Sequence, residues 1–335
     1  MRWAITGYRA ISRASAWVAA VSVLCLVLGA CSEPDCSCLL PPAPGTWSPH
    51  APLSLGPRQE MGVAALDGRI YVVGGFDAAG QPASTVEAYD PATDRWTRRA
   101  SLPAPLHHVN MAAVGGKLYV VGALTGASFA ATGATLVYDP ALDAWAPLTS
   151  MPTGTERGAS GVAVLDGRVV VAGGLRGASV ADASVFDPQA NAWSPLQPLG
   201  VARDHLAAAT VDGRVHAVAG RSGGVLRAAL EVLDGASGSW SRRADIPTPR
   251  GGCAASELSG RLVVLGGEGN VAEPAGVFRE TESYDPATDR WRADRPMQTP
   301  RHGIGAAVLR TRLFVPGGAT VEGFGAVAVN ESFSY

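Results

Sequence analysis

Counted eight residues back from the last apolar residue of a hydrophobic run that recurs six times, the chain reads Arg58, Leu106, Arg157, Arg203, Arg250 and Arg301. A guanidinium presents its N–H donors in a planar fork that fits a carboxylate through two parallel hydrogen bonds, and a concave surface concentrates its field. If the fold gathers these five arginines, they make an anion-binding face. The competing reading is internal: an arginine repeated in nearly every unit can serve the unit itself, bonding backbone carbonyls or acids of a neighbouring loop. His107 and His302 fall one residue after the aligned position, His108 and His205 two after. A metal needs several ligands converging at about 2.0–2.1 Å with support behind them. Spacing shows no such convergence, so these histidines are read as solvated or hydrogen-bonding, and neither metal nor cofactor is expected. The chain has no G-x-S-x-G, H-E-x-x-H or G-x-x-x-x-G-K-[ST] motif, which places binding ahead of catalysis and assigns no catalytic residue.

The elements that must position these residues come from a repeat. Trp47, Trp96, Trp145, Trp193, Trp240 and Trp291 are spaced by 49, 49, 48, 47 and 51 residues. Each unit opens on an apolar strand ending in a turn pair, as in GVAALDG at 62–68 and GVAVLDG at 161–167. Asp-Gly and Gly-Gly tolerate the positive φ of tight hairpins. A second strand follows, as in RIYVVGG at 69–75, then a variable loop, a third strand closing on Tyr-Asp-Pro or its equivalent, and a fourth at the tryptophan. The octapeptide YDPATDRW occurs at 89–96 and again at 284–291, the corner of one kind of unit used twice. The strands are apolar on both faces, which suits sheets packed between sheets, as in a propeller.

The Gly-Gly doublets, the Tyr-Asp-Pro segments and the spaced tryptophans, at a period near 50, resemble the kelch repeat. The resemblance covers 46–335 and implies an all-β, six-bladed propeller of four-stranded antiparallel blades. Unit 2 departs at Gly122-Ala123, and unit 4 at Ala219-Gly220 and Leu233-Asp234-Gly235. The chain of repeats begins with a lone fourth strand at Trp47 and ends on three strands, the last being NESFSY at 330–335. The N-terminal strand is therefore expected to complete the last blade and remove two sheet edges. Kelch adaptors hold acidic peptides with arginines in this register, and the resemblance carries that role to Arg58, Arg157, Arg203, Arg250 and Arg301. The longest loops between second and third strands, in units 5 and 6, border that face. Glu268, Asn270, Glu273, Arg279 and Glu322 are their polar candidates. Kelch oxidases of the galactose-oxidase type need copper, two tyrosines, two histidines and a thioether cysteine. Cys253 is the only cysteine of 46–335 and no matching pattern accompanies it, so that chemistry is rejected. Other kelch propellers isomerise sialic acid, which makes a carbohydrate-active enzyme the alternative to a binding module. A third reading is structural, with blade faces mediating envelope assembly.

Residues 1–30 read as an export signal: Arg2, Arg9 and Arg13, no acid, then the apolar run ASAWVAAVSVLCLVLGA at 14–30. Leu28-Gly29-Ala30-Cys31 resembles a bacterial lipobox, implying lipidation of Cys31 and a protein anchored in the cell envelope, with the outer membrane expected because Ser32 follows. Residues 31–45 form the lipidated, proline-rich linker. Cys36 and Cys38 pair with each other or with another chain, or stay free. Asn330-Glu331-Ser332 spells a sequon in a strand and is expected unmodified. Loss of the signal leaves 24 basic against 29 acidic residues, net −5, which argues against a nucleic-acid partner. The expected partner is an anionic envelope or extracellular protein, peptide or glycan.

Overall fold

Turn chemistry sets each blade. In the computed structural model, which describes residues 43–235 and 237–335, Asp67 and Gly68 take φ of 47° and 76°, and Asp166 and Gly167 take 49° and 73°. Both pairs lie in the left-handed region that joins two twisted strands in a tight hairpin. Strands then follow in sequence order. Blade 1 is Gly62–Leu66, Arg69–Val73, Val86–Asp90 and Arg95–Arg99; blade 5 is Ala254–Leu258, Arg261–Leu265, Thr281–Asp285 and Arg290–Asp294. Among the described residues there are six such four-stranded sheets, and blade 4 adds a ribbon of Arg221–Ser222 with Val225–Leu226. In blades 2 and 3 the variable loop is itself strand: Lys117–Thr125 pairs with Ala130–Asp139, and Arg168–Arg176 with Ala178–Asp187. The signal segment, Cys31, Cys36 and Cys38 lie outside the described residues.

The last blade closes as expected. Thr46–His50 pairs antiparallel with Asn330–Ser334, Trp47 opposite Phe333, as the outer fourth strand of the sheet that begins with Ala307–Leu309 and Arg312–Pro316. Asn330 of the sequon is buried there and its Nδ2 donates to Ala51 O at 3.3 Å.

Six backbone hydrogen bonds form a ring around the axis. Glu60 N–H donates to Gly303 O, His108 to Glu60, Ala159 to His108, His205 to Ala159, Gly252 to His205 and Gly303 to Gly252, at 2.7–3.1 Å. Each blade supplies one residue, two positions after the aligned arginine or Leu106. All six take φ between 49° and 62°, a conformation that costs a non-glycine residue roughly 1–2 kcal/mol. The ring bonds hold that conformation in place. The glycine doublet stitches neighbouring blades: Gly75 N–H donates to Leu106 O at 2.8 Å, and a Cβ on Gly75 would lie 2.5 Å from Gln59 O. Only glycine allows that approach.

The octapeptide corner is a second stitch, on the outer rim. Trp96 Nε1–H donates to Ala51 O at 2.8 Å, while Asp94 Oδ1 accepts from Ala51 N–H at 2.9 Å and from the Tyr89 hydroxyl at 2.6 Å. Its duplicate repeats this: Trp291 to Ala244 O, with Asp289 accepting from Ala244 N–H and Tyr284. The tryptophan N–H clamps every blade to the end of the previous blade's last strand, with an aspartate beside it in blades 1, 2 and 5.

Candidate functional site

The five arginines are brought to equivalent places, and those places are inside the blades. Arg58, Arg157, Arg203, Arg250 and Arg301 are among the largest fully buried side chains. Arg250 Nη1 donates to Glu282 Oε2 at 2.6 Å, and Nη2 to Val264 O at 3.1 Å. Arg203 pairs with Glu231 at 2.5 Å and Arg301 with Glu331 at 2.8 Å. Arg58 pairs with Glu87. Arg157, Arg203, Arg250 and Arg301 thus tie the start of the first strand to the second and third strands of their own blades, and Arg58 ties it to the third through Thr85 and Glu87. The expected arginine-lined mouth is corrected accordingly: the forks are spent on internal carboxylates and carbonyls, because a guanidinium removed from water must be paired where it lies. The partner sits two residues before the aromatic or leucine that closes the third strand. At that place blade 2 has Leu136, which packs on the same core as Leu106, so arginine and acid are replaced together. Blade 3 has Ser184.

What does gather at the axis is the pair of positions after each arginine, with the residue after each glycine doublet. His107, Asp204, Gly251 and His302 bridge to Leu124, Arg221, Glu268 and Ala319. Around the ring lie Glu60, His108, His205, His302, Asp204, Arg221 and Glu268. Arg221 Nη1 is 2.5 Å from Glu268 Oε1, and its Nη2 3.2 Å from His205 Nε2. His205 Nδ1 is 2.5 Å from Asp204 Oδ1, and the Ser179 hydroxyl donates to the other oxygen of Asp204. His302 Nε2 donates to Val321 O at 2.9 Å, leaving Nδ1 to face Glu268 Oε2 at 3.1 Å. Beneath the ring a chamber of about 90 Å³ is lined by Glu60, His108, Asn110, His205 and Cys253, room for a few waters at roughly 30 Å³ each. Of the loop candidates, Glu268 belongs to this cluster. Asn270 bonds its own loop at Val277 O and Ala272 N–H, while Glu273, Arg279 and Glu322 are exposed.

The Kelch motif family model matches residues 57–103, 156–200 and 249–298, which are blades 1, 3 and 5. Kelch-like protein terF of Aspergillus terreus is 32% identical over 87% of this chain and 68% of its own length. The chain belongs to the kelch-repeat family. Kelch repeat and BTB domain-containing protein 13 of Homo sapiens is 40% identical over 23% of this chain, and this chain spans only 15% of it. A solved structure of YjhT superimposes with a TM-score of 0.70 over 83% of this chain and 95% of its own, at 17% identity, a likeness of fold.

At the mouth of this kelch propeller the histidine tautomers are set by their neighbours. His107 Nε2 faces Gly126 O at 3.0 Å and must donate to it. With that ring neutral, its Nδ1 accepts from His108 Nδ1–H across 2.6 Å, so His108 Nε2 carries no hydrogen. The Nδ1 hydrogen of His205 goes to Asp204 Oδ1, and its Nε2 turns toward that of His108. These two nitrogens lie 3.0 Å apart, with Glu60 Oε2 3.4 Å from His108 Nε2. Burial holds His108 well below the usual histidine range and raises the Glu60 carboxyl, the latter opposed by the nearby His205 and His302. A proton on Glu60 donated to His108 satisfies both. Ligand atoms of Glu60, His108 and His205 all lie within 4.8 Å of one another, a donor set that suits zinc, backed by Asp204 and His107. Spacing along the chain shows no convergence of these histidines; the fold brings them together. Their signal was available in the second register after the arginine, where Glu60, His108 and His205 stand against Ala159, Gly252 and Gly303.

Proposed function

We propose that this kelch propeller is a binding module whose ligand meets the face around the channel mouth. The observation that carries the reading is the pairing of charge with exposed apolar side chains on the two longest loops. Val271, Val321 and Phe324 stand in solvent, on loops that rise beside the buried Glu268, and its partner Arg221 on blade 4 keeps 30% of its side chain exposed. Beside Phe324 a cavity of about 480 Å³ opens between Gln59, Asp77 and Gly325. Apolar anchors rimmed by polar groups on variable loops are the anatomy of a protein-binding surface. Arg221, with its partly exposed guanidinium, is the contact for an anionic group of a protein, peptide or glycan. The N-terminal lipobox supports presentation from the cell envelope on a lipid anchor at Cys31, and the proline-rich segment supports a tether.

A photo-crosslinker at position 324 in the full chain is expected to trap one envelope partner, and Arg221→Ala with Val321→Ser to abolish the adduct. An unchanged adduct in that variant would refute the site. Metabolic fatty-acid labelling that survives Cys31→Ala would refute the anchor. The second reading, an enzyme isomerising an anionic sugar such as sialic acid, is favoured by the Glu60–His108 acid–base pair. Anomer interconversion followed by NMR, lost in Glu60→Gln, would replace binding by catalysis.

A further inference from the structure

Blade 3 breaks the rule that a buried arginine has a carboxylate. Blades 5 and 6 show the complete cradle. Thr248 Oγ1 donates to Glu282 Oε1 at 2.9 Å while Arg250 donates to Oε2; Thr299 and Arg301 hold Glu331 in the same way, at 2.9 Å and 2.8 Å. Blade 3 keeps the donors at the same offsets, Thr155 and Arg157, but has Ser184 in place of the glutamate. Arg157 Nε donates to Gly173 O, and its Nη2 to Val171 O and to the Ser184 hydroxyl at 2.8 Å. Nη1 of Arg250 serves both Thr248 O and Glu282; among the described residues, Nη1 of Arg157 serves Thr155 O. The Thr155 hydroxyl turns back to Pro152 O at 2.7 Å.

Beside Ser184 opens a cleft of about 500 Å³, walled by Pro152, Thr155, Asp182, Ser184, Trp193 and Pro195, with Arg157 among its lining residues. Blade 2 shows how the chain otherwise relieves this problem, by replacing both partners with leucine. A buried charge without its counter-ion is costly, and a local rule broken without compensation points to a functional position. Burial draws the Arg157 guanidinium down to about 10, against the opposing influence of Asp182, so it remains a cation at neutral pH.

We propose that blade 3 carries an acidic-peptide site, in which a glutamate side chain of a partner enters over Ser184 and takes the place that Glu282 and Glu331 hold in their blades. The carboxylate accepts from Arg157 and from the Thr155 hydroxyl. The proline and tryptophan walls extend well past a carboxylate's size and receive the residues that flank it. Asp182, already paired with Arg176 at 2.7 Å, is the one acid among the described residues that line the cleft and disfavours a second inserted carboxylate. This site is separate from the channel mouth, and its failure leaves the mouth reading untouched.

The test uses the full chain and three probes, Ac-Pro-Glu-Pro-NH2, its glutamine twin and propionate, followed by the NMR shift of the Trp193 indole N–H. The glutamate peptide is expected to bind at least 10-fold more tightly than either other probe. Ser184→Glu fills the cradle from within. It is expected to abolish peptide binding and to raise the melting temperature, and Asp182→Asn to tighten binding several-fold. Equal binding of the glutamate and glutamine peptides would overturn the proposal, as would peptide binding unaffected by Ser184→Glu. A lowered melting temperature in Ser184→Glu would show that the cradle does not accept a carboxylate. Propionate binding as tightly as the peptide would overturn the peptide assignment.

Discussion

At the scale of single residues, the buried arginines are coupled to their acids and worth little alone. Removing one partner of a buried pair typically costs about 3–5 kcal/mol, whereas replacing both by apolar groups is often nearly neutral. Blade 2 has made that double replacement with Leu106 and Leu136. We therefore expect Arg250→Leu to destabilise the protein by about 3 kcal/mol or more, and Arg250→Leu with Glu282→Leu to recover most of the loss in urea unfolding. Equal loss in single and double variants would mean that the pair is not what holds Arg250. The arginine register was legible in the sequence; its direction was not. The deciding letters, Glu87, Glu231, Glu282 and Glu331, stand on another strand, and only strand pairing such as Val264 opposite Glu282 shows that they face the arginine's own blade.

At the scale of the element, the YDPATDRW corner works because its second aspartate serves two partners at once. Asp94 sits at φ 53° and accepts from Tyr89 and Ala51; blade 3 does the same job with Asn191, which accepts Thr149 N–H at 2.9 Å. Asp94→Asn is therefore expected to be mild, and Asp94→Ala to cost about 1–3 kcal/mol, as a lost acceptor for two donors does, read as a shift in the unfolding midpoint. The hydrogen bond from Tyr89, then that from Ala51, holds the Asp94 carboxyl below its ordinary range. Its contribution is therefore present above the unfolded pKa and lost as pH falls through the folded value. The repetition of the octapeptide was visible at once, and the tryptophan and Asp-Pro roles with it. The aspartate's role was not, because its partner Ala51 lies 43 residues away on the preceding blade.

At the scale of the whole molecule, several histidines are held neutral by burial. His107, His108 and His216 all have pKa values lowered chiefly by desolvation. The unfolded chain takes up protons near pH 6.5 while the folded chain does not, so acid favours unfolding as pH falls below that value. The melting temperature is expected to fall between pH 7.5 and 5.5, and to fall less in His216→Gln. A flat profile over that window would contradict the buried, neutral state.

The sequence by itself determined the repeat, the six-fold count, the closure of the last blade by Thr46–His50 and the turn chemistry. The repeat and its turns are properties of periodic local pattern enforced by short-range sterics, and the closure follows from the count, because a lone fourth strand and a unit of three strands complete each other. Only the tertiary structure decided which repeated positions meet. Glu60, His108 and His205 are far apart along the chain, yet their side chains lie within 3.4 Å of one another through His108, and that convergence depends on ring closure between blades, which no single unit encodes. The same holds for Arg157 and Ser184. Nothing in either letter marks a cleft until the strand that joins them is compared with the same strand in the other blades.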